Sequence, residues 1–233
     1  VCALMSDSVV FVEKFGARAE IVLNRPERKN SITPDVTELL RDAITATSHD
    51  ESVNCILLRG NGGVFCSGVD LKESGNGTKP GPLPAWPQVH AALYSSPVPV
   101  VVALEKYAIN AGAALALAAP VVVAGESSFL QVGELAIGVA APMCAAWLHL
   151  RFAPSVADRL VYLADRVPAA ELLRLGVATE VVDDSMVVER ARELADRIAS
   201  YPVGGRIAMN KKWKELRGEI SDPVAWFTDL LSR

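Results

Sequence analysis

"AINAGAALALAAP", residues 108–120, carries one polar side chain, Asn110, in a run of small residues and leucines. It lies between two short apolar runs, "VPVVVALE" (98–105) and "PVVVAGESSFL" (120–130). Apolar runs of that length, rich in β-branched valine, read as buried strands. The alanine- and leucine-rich stretch between them favours a helix, which ends before Pro120. Strand, helix, strand in succession is the grammar of an α/β fold. The small residues at the start of the helix leave its backbone open to close approach.

The same grammar extends outward. "VVFVEKFGARAEIVLNRP" (9–26) reads as two strands about a turn at Gly16, with Val9, Phe11, Ile21 and Leu23 alternating. "TPDVTELLRDAITAT" (33–47) reads as a helix capped by Thr33, with Pro34 in its first turn. Val36, Leu39, Leu40, Ala43 and Ile44 form its apolar stripe. "CILLRG" (55–60) is a short buried strand, followed by the glycine-rich "GNGGVFCSGVDLKES" (60–74). The Pro/Gly-rich segment 75–87 reads as a mobile surface loop. From about Ala140 helices dominate. "PAAELLRLGVATEVV" (168–182) is a helix stopped by Gly176 and then a strand. "SMVVERARELADRIAS" (185–200) is amphipathic, with Val187, Ala191, Leu194 and Ile198 on one face.

Bulk properties narrow the function. A chain of 233 residues is long enough to bury a sizeable core. With 51% apolar residues and a mean hydropathy of +0.26 it is greasy for a soluble protein, which points to apolar surface hidden in a subunit interface. The formal charge of −4 and the lack of a basic run interleaved with aromatics argue against nucleic acid. No apolar segment reaches the roughly 18 residues of a membrane span. The opening "VCALMSDSVVFVEKF" has neither a cationic leader nor a signal-type apolar block. Cys2, Cys55, Cys66 and Cys144 stand far apart, as free thiols of a reducing cytoplasm would.

Familiar catalytic patterns are missing. "GNGGVFCSGVD" has no Lys-Ser/Thr pair for a phosphate-cradling loop and no dinucleotide glycine spacing. Ser67 is not in a Gly-x-Ser-x-Gly elbow. His49, His90 and His149 are scattered and read as structural or surface residues, and no cluster has metal-ligand spacing. Cys66 has no visible neighbouring base and reads as an inert core thiol.

Taken together, the blocks "IVLNRPERKNSIT", "CILLRGNGGVFCSGVDL", "SSPVPVVVALEKYAINAGAALALAAPVVVA" and "LLRLGVATEVV" resemble, in order and spacing, the crotonase family (the enoyl-CoA hydratase/isomerase superfamily). The resemblance covers nearly the whole chain. It implies an α/β crotonase (ClpP/crotonase-like) fold: repeated β-β-α units in a spiral core over residues 1–185, then a C-terminal helical region over 186–233. It also implies an acyl-CoA thioester as substrate, no cofactor beyond that coenzyme A, and a homotrimer or a dimer of trimers.

Site residues carry over position by position. The family holds a thioester oxygen with two backbone N–H groups as it becomes an enolate oxygen. Those positions are Val69, after the glycine of the first loop, and Ala111, at the helix start, where the family has glycine. Family hydratases use two glutamates. The first position is Ala114 here, which moves no proton. The second is Glu134, with Gly138 at the family spacing, although Gly133 replaces the usual proline and the stretch from Phe129 is one residue longer. Arg28, Lys29, Cys66, Ser67, Asp70, Leu71 and Lys72 match the coenzyme A-binding segments. The tail ending "DPVAWFTDLLSR" reads as shortened relative to the family. One carboxylate beside an oxyanion hole implies an enoyl-CoA isomerase; the alternatives are a hydratase with an unconventional acid/base set and a non-catalytic acyl-CoA binder.

Overall fold

A computed structural model of the chain describes residues 8–73 and 81–232. The outer hairpin forms as read: β1 (Val10–Phe15) and β2 (Arg18–Leu23) pair antiparallel about Gly16. Then β3 (Cys55–Gly60), β4 (Val100–Leu104), β6 (Val121–Gly125) and β9 (Glu180–Val182) add in parallel, giving the sheet order β1-β2-β3-β4-β6-β9. A second sheet holds β5 (Tyr107–Ile109), β7 (Phe129–Gln131) and the two-residue β8 (Val167–Pro168).

Every residue of β2 is buried, against the expected alternation. The reason is that helices cover both faces of the sheet. On one face, Ile21, Ile56, Leu58, Val102 and Val122 pack against Val36, Leu40 and Ile44 of α1 (Pro34–Ser48), with α2 (Trp86–Ser95) and α3 (Ala111–Ala118) alongside. On the other, Leu57, Val101 and Val123 pack against Val187, Ala191 and Ala195 of α7 (Val187–Ala199). Thr33 caps α1 by accepting from the Val36 N–H, 3.3 Å. Leu39, expected on the apolar stripe, is exposed.

The helical second half comprises α4 (Pro142–Arg151), α5 (Pro154–Leu163), α6 (Ala169–Arg174), α7, α8 (Val203–Arg217) and α9 (Pro223–Ser232). The tail folds back: Phe227 of α9 is fully buried against the rings of His90 and Trp147. Trp147 donates its indole N–H to His90 Nδ1, 2.8 Å, and burial pushes that imidazole down to about 3, so it stays neutral. His90 therefore has the structural role expected of it. Residues 74–80 of the expected mobile loop, and Cys2, lie outside the described residues. Cys55, Cys66 and Cys144 are buried.

One charge sits inside the α7 layer. The Glu20 carboxylate, 0% exposed, accepts from Arg59 Nε at 2.7 Å and Arg192 Nε at 2.8 Å, with Arg18 3.2 Å away. Burial alone would raise its pKa; the hydrogen bonds from Arg192 and Arg59 outweigh that and hold it below its usual 4.5. A depressed carboxylate stabilises the fold above its unfolded pKa and loses that contribution as pH falls through the folded value. Glu20→Ala leaves the arginines uncompensated and is expected to cost about 3 kcal/mol in urea denaturation. As pH falls from the usual 4.5 through the lower folded value, the variant should lose stability less steeply than the parent protein, because the titrating group is gone.

Candidate active site

The site begins where the glycine-rich loop runs beside β5. Phe65 N–H donates to Glu105 O (2.9 Å), Cys66 N–H to Tyr107 O (3.2 Å), and Ile109 N–H to Cys66 O (3.1 Å). Cys66 and Ala108 form a parallel bridge. One step further, Gly68 has φ +94°, and a Cβ there would lie 2.9 Å from Ile109 O and 3.6 Å from Asn110 Cβ. At Gly112 a Cβ would lie 2.6 Å from Cys66 O and 2.8 Å from Cys66 Cβ. Loop and helix start therefore touch backbone to backbone, and glycine is required on both sides.

This contact brings Val69 and Ala111, predicted as a pair, to adjoining segments. Neither N–H donates to a protein acceptor among the described residues. Val69 lies opposite Ile32: Ile32 N–H donates to Gly68 O and Asp70 N–H to Ile32 O, both 2.8 Å, and the Val69 N–H is left over. Ala111 opens α3, and the first N–H to bond back is that of Ala114, to Asn110 O at 2.9 Å. Free N–H groups at a helix start carry partial positive charge. Ala114 is buried and contributes only a methyl group.

Glu134 begins a 3-10 turn (Glu134–Ile137) after β7. Its Oε2 is buried with no hydrogen-bond partner. Burial pushes its carboxyl up to about 7, against a smaller lowering by its own backbone N–H. Its neighbour across the site is Cys144 of α4, whose thiol donates to Asn110 O at 3.4 Å and is raised by burial and by the Glu134 charge. Sequence reading missed the residue at the centre of this arrangement. Asn110 has φ +50°, donates its N–H to Gln131 O (2.8 Å), and accepts at Oδ1 from Gly133 N–H (2.8 Å). The one available sign was its standing as the sole polar side chain of the quoted stretch.

The predicted coenzyme A segments also come together. Asn30 Nδ2 donates to Asn61 O (2.9 Å) and Val64 O (2.6 Å), and Ser67 N–H donates to Lys29 O (3.1 Å). Within them, Lys29 and Lys72 are exposed and Ser67 and Leu71 half-buried. Cys66 and Asp70 face inward, at 0% and 6% exposure, so their side chains are not open to a ligand. Burial pushes the Cys66 thiol up to about 12, in keeping with an inert thiol. Asp70 binds Arg28 (3.1 Å), Arg25 (3.4 Å) and Ser31 (3.0 Å), so the Arg28 guanidinium is already engaged. A separate cavity of about 450 Å³ lies at the other end of α3, between Ala118, Trp147, Arg151 and Trp213. No carboxylate lines it, and it is not where these groups converge.

The parallel sheet with helices on both faces, and a loop that meets the start of α3 backbone to backbone, define the crotonase class of fold. The family model described as enoyl-CoA hydratase/isomerase matches residues 14–217, and the chain belongs to that family. It is 30% identical over 194 residues to the 1,2-epoxyphenylacetyl-CoA isomerase of Escherichia coli strain K12, covering 79% of this chain and 74% of that one. It is 27% identical to the 2,3-dehydroadipyl-CoA hydratase of the same strain, covering 78% and 72%. A solved structure of a Pseudomonas aeruginosa protein superposes with a TM-score of 0.82 at 26% identity, covering 99% of this chain and all of that one. The protein is thus an acyl-CoA-processing enzyme of this family.

Gly112→Ala is expected to cost about 1–3 kcal/mol by overpacking α3 against Cys66. Gly204→Ala, on α8 with open space around it, should leave stability unchanged or slightly raised. Thermal denaturation of the two variants side by side measures the difference.

Proposed function

We propose that the protein is an enoyl-CoA isomerase that moves a double bond through a thioester enolate. The observation that carries this reading is the single carboxyl group: Glu134, half-buried with its Oε2 enclosed, follows a glycine tied to the residue before α3, while the position of a second acid is the methyl group of Ala114. Hydration needs an acid and a base around one water; shifting a double bond needs one group that gives back the proton it takes. Glu134 removes a proton from C2 of a 3-enoyl thioester, the electron pair moves onto the thioester oxygen, and Glu134 returns the proton at C4. The N–H groups of Val69 and Ala111 hold the enolate oxygen. Each such donor is typically worth about 3 kcal/mol of barrier. Lys29 and Lys72, both exposed, suit the coenzyme A phosphates.

A carboxyl near 7 is half-ionised at neutral pH, which suits a group that must first accept and then donate. Since the base form is required first, kcat/KM on 3-enoyl-CoA esters should rise with pH through a limb near 7 and then level off. Growth of the conjugated enoyl-thioester absorbance measures it. Glu134→Gln should abolish the rise while keeping thioester binding. Equal rates in parent and variant, or a hydrated product, would sink the reading.

The reading includes a homotrimer. Val203, Ile207, Met209, Trp213 and Leu216 of α8 are exposed, an apolar surface suited to burial against another copy. Light scattering should give three times the 24.8 kDa of the chain, or six times for paired trimers. A monomer would contradict it.

A further inference from the structure

Among the described residues no side-chain hydrogen bond aims the carboxyl of Glu134. Its Oε2 has no partner, and no side chain of the described residues donates to it. Its direction is therefore set by the 3-10 turn, and that turn starts at Gly133. Gly133 is held by one side chain: its N–H donates to Asn110 Oδ1 at 2.8 Å. Asn110 in turn directly precedes Ala111. One hydrogen bond thus joins the residue before the hole donor to the residue before the carboxyl.

Several features show that this bond is built in. Asn110 occupies φ +50°, ψ −108°, a conformation that typically costs a residue with a Cβ about 1–3 kcal/mol. As the residue before α3 it would ordinarily turn its side chain back to cap the helix, yet it makes no such bond and reaches across instead. Its remaining backbone groups are also tied, the N–H to Gln131 O and the carbonyl to Ala114 N–H and the Cys144 thiol. Gly133 is matched to it. A Cβ there would meet Asn110 Oδ1 at 3.2 Å and Gln131 Nε2 at 3.3 Å. A proline, which the family resemblance places at this position, has no N–H to donate.

We propose that Asn110 is a positioning residue, and that the Asn110–Gly133 hydrogen bond sets the Glu134 carboxyl against the enolate-holding N–H groups in place of a proline-stiffened turn. This rests on Glu134 as the base. Its consequence is that Asn110 and Gly133 act as one unit. Asn110→Gly keeps the positive φ free of strain and removes the acceptor; Gly133→Pro removes the donor but supplies the stiff turn that the bond replaces.

The test is a double-mutant cycle over Asn110→Gly, Gly133→Pro and the pair, with Glu134→Gln as reference. Isomerisation of 3-hexenoyl-CoA gives kcat and KM. A carbon-13 NMR titration of the glutamate carboxyls, with Glu134 assigned by its absence in Glu134→Gln, follows the site without turnover. Asn110→Gly should lower kcat by about 10- to 100-fold with KM within about 3-fold, the usual consequence of a misplaced catalytic group, and Gly133→Pro, which stiffens the turn by itself, should lose less. The Glu134 midpoint should fall from about 7 toward the ordinary carboxylate range as water reaches it. The double variant should be no worse than either single one, because both remove the same bond. An unchanged kcat and midpoint in Asn110→Gly, or additive losses in the pair, would overturn the proposal. If Glu134→Gln retains activity, it is the base assignment that fails, and the NMR midpoints alone then decide whether Asn110 positions this carboxyl.

Discussion

Everything at this site depends on two backbones touching. The loop through Cys66 lies against β5 and the first turn of α3, with Gly68 and Gly112 each filling a space too small for a methyl group. That approach is possible only without a Cβ on either side, and it brings the N–H groups of Val69 and Ala111 to adjoining segments. Helix and loop are both anchored elsewhere. The loop hangs from β5 and from the Asn30 amide, while α3 is buried along its whole length. Two rigid supports can hold a pair of donors in place before any ligand arrives, and fixed donors cost no reorganisation when charge develops.

In the proposed reaction the opposite demand falls on Glu134. A proton carrier must be buried enough to be basic near neutrality and free enough to reach two carbons. Its carboxyl meets the first condition by desolvation and the second by having no side-chain partner. The order is supplied one residue back, through Gly133. Fixed donors and a base placed through its hinge are the division of labour that the proposed isomerisation requires.

Local signals in the chain were strong where the physics is local. Thr33 before Pro34 marks the start of α1, the valine runs mark β4 and β6, and Gly176 ends α6. The β5 strand was hidden because three residues show no period, and full burial of β2 follows from α7 returning across the sheet more than 160 residues later. At the site, Val69, Ala111 and Glu134 were singled out by the family resemblance. The side-chain partners were not: Asp70 taking up Arg28, and Asn110 reaching Gly133, are pairings across 42 and 23 residues. Nothing in the local pattern of either partner announces them. Gly133 stood out only as a departure, and its meaning lies in the N–H it donates.

The most direct measurement follows a label through one turnover. A 3-enoyl-CoA carrying deuterium at both C2 positions is converted in ordinary water, and the product is analysed by mass spectrometry and proton NMR. A single buried base that takes a proton at C2 and returns it at C4 predicts deuterium at C4 of the 2-enoyl product. A product whose C4 hydrogen comes from water in every turnover, or one that has gained a hydroxyl group at C3, would contradict the account.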